Sequence, residues 1–325
     1  MPTIADTRFQ MVQFVFPEHI NQRGTLYGGR MMSWIAAAGT LAASRVARGP
    51  VALGAMDDLD FLTPIHLGEI VTMEAQVEFI GRSSLEVGVT VDAELPQHGV
   101  PRRATSSHLA FVSMDEHESP RPVGVTIAPG SEAEAALSAE AEVRKARRLA
   151  RLRAARDGEE AIPDAQPRHG AVLSRLVRPE DALSGTLMFA GKLLEMLDEV
   201  ASITALRYCR GMTVTASMDS VYFYNPVRIG QIVDFRTALT HVSRSSMEIG
   251  VWVDTEEPLS AVHRHTCTAF LTMVHLDTQG RPARVSPFVP DGPVERRLWE
   301  EAASRVCHRR ARVAQLRAST GPNAR

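Results

Sequence analysis

The stretch FPEHINQRGTLYGGRMMSWIAAAGTLAASRVARG, residues 16–49, decides the reading of this chain, because RPEDALSGTLMFAGKLLEMLDEVASITALRYCRG, residues 178–211, echoes it. The echo continues outward. MDDLDFLTPIHLGEIV (56–71) is answered by MDSVYFYNPVRIGQIV (218–233), and GRSSLEVGVTVDAE (81–94) by SRSSMEIGVWVDTE (243–256). Pro17 and Pro179, Gly29 and Gly191, Met56 and Met218, Pro64 and Pro226, Arg82 and Arg244, Asp92 and Asp254 all stand 162 positions apart. One offset held over that span is a duplication, and its period is that of a domain rather than a solenoid repeat.

Each half reads alike. A Gly-rich turn leads into a helix near 29–45 (190–207), with small or apolar residues on most faces, as suits a helix buried nearly all round. Alternating runs follow: VTMEAQVEFI, SLEVGVTVDAEL and SSHLAFVSMD, then IVDFRTALTHV, SMEIGVWVDTE and HTCTAFLTMVHLD. Alternation with one polar face predicts antiparallel strands laid over a core. One buried helix followed by consecutive strands is an α+β pattern, not βαβ. Pro64–Gly68 and Pro226–Gly230 mark turns between strands.

The length of 325 residues suits two domains, each able to hold a core. Hydrophobic residues at 44% and charged residues at 23% describe an ordinary globular chain. A formal net charge of −2 gives no global basic field for nucleic acid, so no nucleic-acid partner is expected. Three cysteines, far apart and without C-x-x-C, argue for a reducing compartment and against a disulfide frame or zinc site. MPTIADTRFQ has no basic start followed by an apolar stretch. The longest apolar run, Met31–Ala43, is 13 residues, and a membrane span needs about 20. The expectation is a cytosolic protein with no membrane partner.

Between the halves, ESPRPVGVTIAPG is a Pro/Gly loop and SEAEAALSAEAEVRKARRLARLRAARDGEE a strong helix former whose acidic start and basic end suit the helix dipole. Its basic half (Arg144, Lys145, Arg147, Arg148, Arg151, Arg153) reads as a solvated connector face. The segment IPDAQPRHG closes this linker, and the tail, 292–325, is another Arg-rich amphipathic helix with a polar end, docked on the surface or frayed.

At PEHINQRGTLYGG, FLTPIHLGE and GRSSLEV the sequence resembles the hotdog-fold acyl-CoA thioesterases, and most of all their cytosolic type with two fused hotdog domains. The resemblance covers about 16–116 and 176–277 and includes the helical linker. It implies two tandem hotdog domains, each a curved antiparallel sheet wrapped around a central helix, packed as an intramolecular pseudo-dimer. The domains would run 8–118 and 171–290, with a linker at 119–170 and a helical tail at 291–325. It further implies an acyl-CoA substrate, no cofactor beyond the CoA that belongs to the substrate, no metal, and a homo-oligomer such as a trimer of double-hotdog chains.

The family places an Asn in the loop before the helix and an acidic residue about two turns into it. The first half has Asn21 but Ala36 at the helix position; the second has Asp198 but Leu183 in the loop (Ser184 if the loop slips by one). Each half keeps one member of the pair. In a side-by-side pair, Asn21 and Asp198 would meet at one interface pocket, and Leu183 and Ala36 at the other, so one live site and one dead one are expected. Asp198 would act as general base on water or as nucleophile, its pKa raised by Leu194, Met196, Leu197 and Val200. Asn21 would orient water or bond the carbonyl, and backbone N–H groups at Gly28 and Gly29 would hold the oxyanion. Without that context, Glu195, Asp198, Glu199 and Ser202 would read as a solvated stripe and Asn21 as a turn residue.

Arg82, Ser83 and Ser84, with Arg244, Ser245 and Ser246, suit CoA phosphates, or form plain polar hairpin turns. His263, His265 and His275, without nearby Cys or carboxylate partners in the sequence, read as surface or interface histidines, and His19 as a neighbour of Asn21 that lines the pocket. Two other readings stand beside hydrolysis. Enoyl-thioester hydration in related hotdog enzymes resembles Asp/His or Glu/His pairs, and no His lies near the start of either helix. A non-catalytic acyl-CoA sensor or scaffold would be expected to lose both polar members from both sites.

Overall fold

The computed structural model describes residues 1–97, 99–156 and 167–319. The end of the expected linker helix (157–160), the first part of the closing segment (to 166) and the polar end of the tail (320–325) lie outside the described residues. In the first half, β1 (Phe9–Phe14) precedes α1 (Gly28–Ala47), which is followed by β2 (Val51–Met56), β3 (Leu59–Asp60), β4 (Ile70–Ile80), β5 (Ser84–Glu94) and β6 (Arg102–Ser113). A long helix, α2 (Glu132–Arg156), leads to the second half: β7 (Val172–Leu176), β8 (Ala182–Ser184), β9 (Leu187–Met188), α3 (Ala190–Cys209), β10 (Met212–Met218), β11 (Val221–Tyr222), β12 (Ile232–Val242), β13 (Ser246–Glu257) and β14 (Val262–Leu276). The tail forms α4 (Gly292–Ser319).

The two large sheets have the same plan. One runs β1-β4-β5-β6-β2-β11 and the other β7-β12-β13-β14-β10-β3, antiparallel throughout. Even the irregularities repeat: the bulge between Leu53 and Ala55 recurs between Thr215 and Ser217. The sixth strand of each sheet is borrowed. Val221 and Tyr222 pair with Met56 and Ala55, while Leu59 and Asp60 pair with Met218 and Ser217. The two sheets are thereby stitched together by backbone hydrogen bonds, which fixes how the halves face one another.

Helix α1 is apolar on most faces because it has neighbours on most faces: its own sheet on one side and α3 on the other. Small residues make this wrap tight. A Cβ added at Gly39 would lie 3.1 Å from the Phe111 ring. Met31, Met32, Ile35, Leu109 and Phe111 are almost wholly buried, each stabilising the fold by about 1.5–3 kcal/mol. Both helices end on an arginine in the left-handed region, Arg48 at φ +50° and Arg210 at φ +52°, followed by Gly49 and Gly211.

The connector differs from the solvated helix expected from its charge. Helix α2 lies on the outer face of the first sheet, with Arg144 paired to Glu78 and Arg148 donating to Glu86 at 2.7 Å and Asp57 at 3.1 Å. Arg144 and Arg148 are buried. Carboxylates on an outer sheet face, out of contact with water, demand a cationic cover. The tail helix does the same for the second sheet: Arg305 and Arg309 each reach Glu248 at 2.7 Å, and Arg309 reaches Asp219 at 2.7 Å. Glu86 and Glu248, like Asp57 and Asp219, are 162 apart, so the repeat unit includes its covering helix.

Candidate active site

The N-terminus of α1 abuts α3. Tyr27 at the N-cap offers no side-chain hydrogen bond, and the free Gly29 N–H instead donates to Asp198 Oδ2 at 2.8 Å. The cap thus comes from the other half of the chain. The second oxygen, Oδ1, accepts the Thr215 hydroxyl at 2.5 Å. Asp198 is 3% exposed. Burial pushes its carboxyl above the ordinary range, opposed by the hydrogen bonds from Thr215 and Gly29. The positive end of the α1 dipole also favours the ionised form.

A cleft of about 410 Å³ opens beside this carboxylate. Asn21, Arg23, Tyr27 and Gly28 line it from the first half, and Ser202, Thr215 and Pro282 from the second. Asp198 lies just behind this lining. A Cβ on Gly28 would sit 3.2 Å from Asp198 Oδ1 and 2.8 Å from Thr215 Cβ; its absence leaves Oδ1 approachable from the cleft. Asn21 Nδ2 donates to Thr25 Oγ1 at 2.9 Å, and Asn21 Oδ1 accepts the Arg23 N–H at 2.9 Å. Asn21 therefore organises its own loop as well as facing the cleft.

Two expectations change, those for Gly29 and His19. The Gly29 N–H is occupied by Asp198, so it is not free to face the cleft, whereas Gly28 lies at the cleft wall. On α3, the alternative of a solvated acidic stripe does not describe what is seen: Asp198 is buried, while Glu195 pairs with Arg30 at 3.0 Å. His19 is a structural residue, its Nδ1 accepting the Phe16 N–H at 3.2 Å and its ring set edge-on to Trp34.

Thr215 and Thr25 are the polar residues that reading the sequence missed. The signal was their position: 162 residues from Thr215 stands Leu53, and from Thr25 stands Leu187. The bridges Thr25–His66 and Leu187–Arg228 keep the same offset, but the loop slips by one. Asn21 N–H donates to Thr25 O, whereas Leu187 pairs with Ser184 and Leu183 is the bulged residue between Ala182 and Ser184, so Ser184 stands opposite Leu187 as Asn21 stands opposite Thr25. The pseudo-equivalent positions are therefore Ser184 (with Leu183 bulged beside it), Leu187, Ala36 and Leu53, where the first site carries Asn21, Thr25, Asp198 and Thr215.

Arg82–Ser84 and Arg244–Ser246 form tight hairpin turns, with Gly81 N–H donating to Ser84 O and Ser243 N–H to Ser246 O, both at 2.8 Å. The second turn lines a groove of about 880 Å³ with Arg284, Phe288 and Trp299. Pro282 belongs to the walls of both this groove and the composite cleft. Among the histidines, His265 bonds Asp254 at 2.9 Å and His275 bonds Arg284 O at 3.1 Å. His263, against expectation, does have carboxylate neighbours: its ligand atom and those of Asp234 and Glu256 lie within 4.8 Å of one another. None of the three lines the cleft. No described helix is long and apolar enough to cross a membrane.

This architecture has known relatives. A family model described as the thioesterase superfamily matches twice, over residues 23–97 and 185–262. The human cytosolic acyl coenzyme A thioester hydrolase is 28% identical over 314 residues, spanning 91% of this chain and 82% of its own. The uncharacterized acyl-CoA thioester hydrolase YkhA of Bacillus subtilis is 40% identical over 136 residues, 42% of this chain and 79% of its own. An acyl-ACP thioesterase from Bacteroides thetaiotaomicron shares the fold at a TM-score of 0.52 with 10% identity, covering 83% of this chain and 99% of its own. With two copies of the family's domain in one polypeptide and a relative matching across nearly its whole length, the chain belongs to the thioesterase superfamily as a tandem hotdog member.

Proposed function

We propose that this chain hydrolyses acyl-CoA thioesters to a carboxylic acid and CoA at the composite cleft. The observation that carries the reading is a buried carboxylate, Asp198, held by Gly29 and Thr215 beside a cleft whose opposite wall bears Asn21. Asp198 takes a proton from water as the water oxygen attacks the thioester carbon. The Gly28 N–H and Asn21 Nδ2 steady the carbonyl oxygen as it becomes an oxyanion. The C–S bond then breaks, and the proton passes to the departing sulfur. Both Asp198 oxygens already accept hydrogen bonds and lie behind the cleft surface, which favours a base acting through water over direct attack.

Arg244 and Ser245 sit on the groove that shares Pro282 with the cleft. That placement favours the second Arg-Ser-Ser turn over the first as the contact for CoA phosphates. The relatives' names point to a cytosolic enzyme, and a trimer of such chains is the assembly to be tested by light scattering.

The test is thiol release from a panel of acyl-CoAs. Wild type should release CoA, Asp198→Ala should lose activity by about 10²–10⁴-fold, and Asn21→Ala should lose a substantial part of it. Unchanged hydrolysis in both variants would remove the assignment. Binding of acyl-CoA with no release from any substrate would make the chain a sensor instead.

A further inference from the structure

The repeat offset carries the composite cleft onto a second, pseudo-equivalent position between the halves, and the two differ in the charged side chain that reaches over the mouth. At the first, Arg23 reaches over the turn at Gly280: its Nη1 donates to Thr278 O at 3.3 Å, and a Cβ built on Gly280 would fall on its guanidinium. Arg23, Gly280 and His66 all line that cleft. Their counterparts 162 positions away are Gly185, Glu118 and Arg228. At the second mouth the long charged side chain therefore comes from the other partner, and its sign is reversed. Glu118 Oε1 accepts the Thr186 N–H at 3.0 Å and the Thr186 hydroxyl at 2.5 Å, while Oε2 accepts Arg228 Nε at 2.9 Å.

The backbone makes the choice of residue pointed. Glu118 and Gly280 occupy the same turn, at φ +57° and φ +82°. Both turns are closed by the same bonds, Asp115 N–H to Ser119 O and Asp277 N–H to Arg281 O. Glycine adopts that conformation without strain; glutamate does not. A side chain that costs backbone strain, while spending three acceptor bonds on the other half, has a use beyond closing the turn.

Resting on the reading of the first cleft as a CoA site, we infer that Glu118 is a built-in anion plug that keeps the second position closed to CoA. Its carboxylate occupies the N–H, hydroxyl and guanidinium that would otherwise receive a phosphate or carbonyl oxygen, and it sets a negative charge against a polyanionic ligand. A fused chain gains from this. The second position lacks a carboxylate at Ala36 and a hydroxyl at Leu53, so any thioester held there would be held without being hydrolysed.

Glu118→Gly tests the plug, because glycine stands at the sister position and fits the turn. Binding of CoA is measured by titration calorimetry, with thermal melting to confirm the fold. Wild type should bind one CoA per chain and Glu118→Gly two, the second more weakly, with hydrolysis per chain within about two-fold of wild type. Adding Arg228→Ala to Glu118→Gly should return the count to one. A count that stays at one in Glu118→Gly overturns the inference, as does a second site indifferent to Arg228→Ala. If wild type bound no CoA while Glu118→Gly bound one, the plug would stand and the functional reading of the first cleft would fall. Binding by neither would overturn both.

Discussion

The Thr215 hydroxyl donates to Asp198 Oδ1 at 2.5 Å from the bulge of β10, and Leu53 occupies the same bulge of β2 in the other half. The pair shows how a duplicated framework divides its labour. The bulge is retained in both copies because the sheet needs it; the hydroxyl is present in the copy where a carboxylate waits. Thr215→Val should therefore fold, since the equivalent strand carries an apolar side chain at that point. Removing a hydrogen bond to a charged acceptor costs about 1.5–3 kcal/mol, so activity at neutral pH should fall about 10–100-fold. The acid limb of the pH–rate profile should also move upward, because that hydrogen bond lowers the Asp198 pKa. A purely structural threonine would leave the limb where it was.

On the proposed reading, Asp198 is the group that sets the pH dependence. Burial raises its pKa, and a base must be ionised to take a proton, so kcat/KM should rise with pH to a midpoint above the usual carboxylate range. Asp198→Asn should abolish that limb along with most of the rate. Stability should run the opposite way. A carboxyl whose folded pKa exceeds its unfolded value holds its proton more tightly when folded, so wild-type stability falls as pH rises from about 4 through the raised value. The melting temperature of Asp198→Asn relative to wild type should climb over the same interval. Parallel melting curves at every pH would contradict this.

Close approach of the two central helices requires Gly29. A Cβ there would lie 2.9 Å from Asp198 Cβ and 3.0 Å from the Glu195 Cα, and the backbone atom cannot step aside. Gly29→Ala should push α1 from α3, costing about 1–3 kcal/mol and lengthening the Gly29–Asp198 hydrogen bond. Chemical denaturation measures the first effect, and thiol release the accompanying loss of turnover.

Much of this was legible in the sequence, for a physical reason. Duplication places every residue beside its own control, so Asn21 against Leu183 and Asp198 against Ala36 stand out without a structure. Helix and strand periods were likewise local, and they gave the α+β pattern. Long-range pairings were not. Thr215 is one threonine among alternating strand residues, and its meaning depends on a carboxylate 17 positions earlier on another element. The Arg residues of α2 and α4 looked like solvated charge because their acid partners, Glu86, Asp57, Glu248 and Asp219, are scattered over strands and loops far along the chain. The exchange of β3 and β11 between sheets left no pattern in two-residue strands.

Those covering helices yield the last expectation. Glu248 faces two guanidinium groups, Arg305 and Arg309, whose attraction outweighs burial and holds its carboxyl below the ordinary range. Among the described residues its counterpart Glu86 is bonded directly by Arg148 alone, which it shares with Asp57, and there burial wins and the carboxyl is pushed up. The same glutamate on the same strand thus contributes differently. At pH 7 Glu248→Gln, which leaves two buried arginines facing a neutral amide, should cost about 3 kcal/mol, and Glu86→Gln about 1 kcal/mol or less. The depressed group stabilises the fold above its unfolded pKa and loses that contribution as pH falls through its folded one. The raised group weakens the fold as pH climbs. Urea titrations should accordingly show the two variants far apart at neutral pH and converging below about pH 4.5, and equal losses at pH 7 would mean that the count of arginines does not govern how these helices are held.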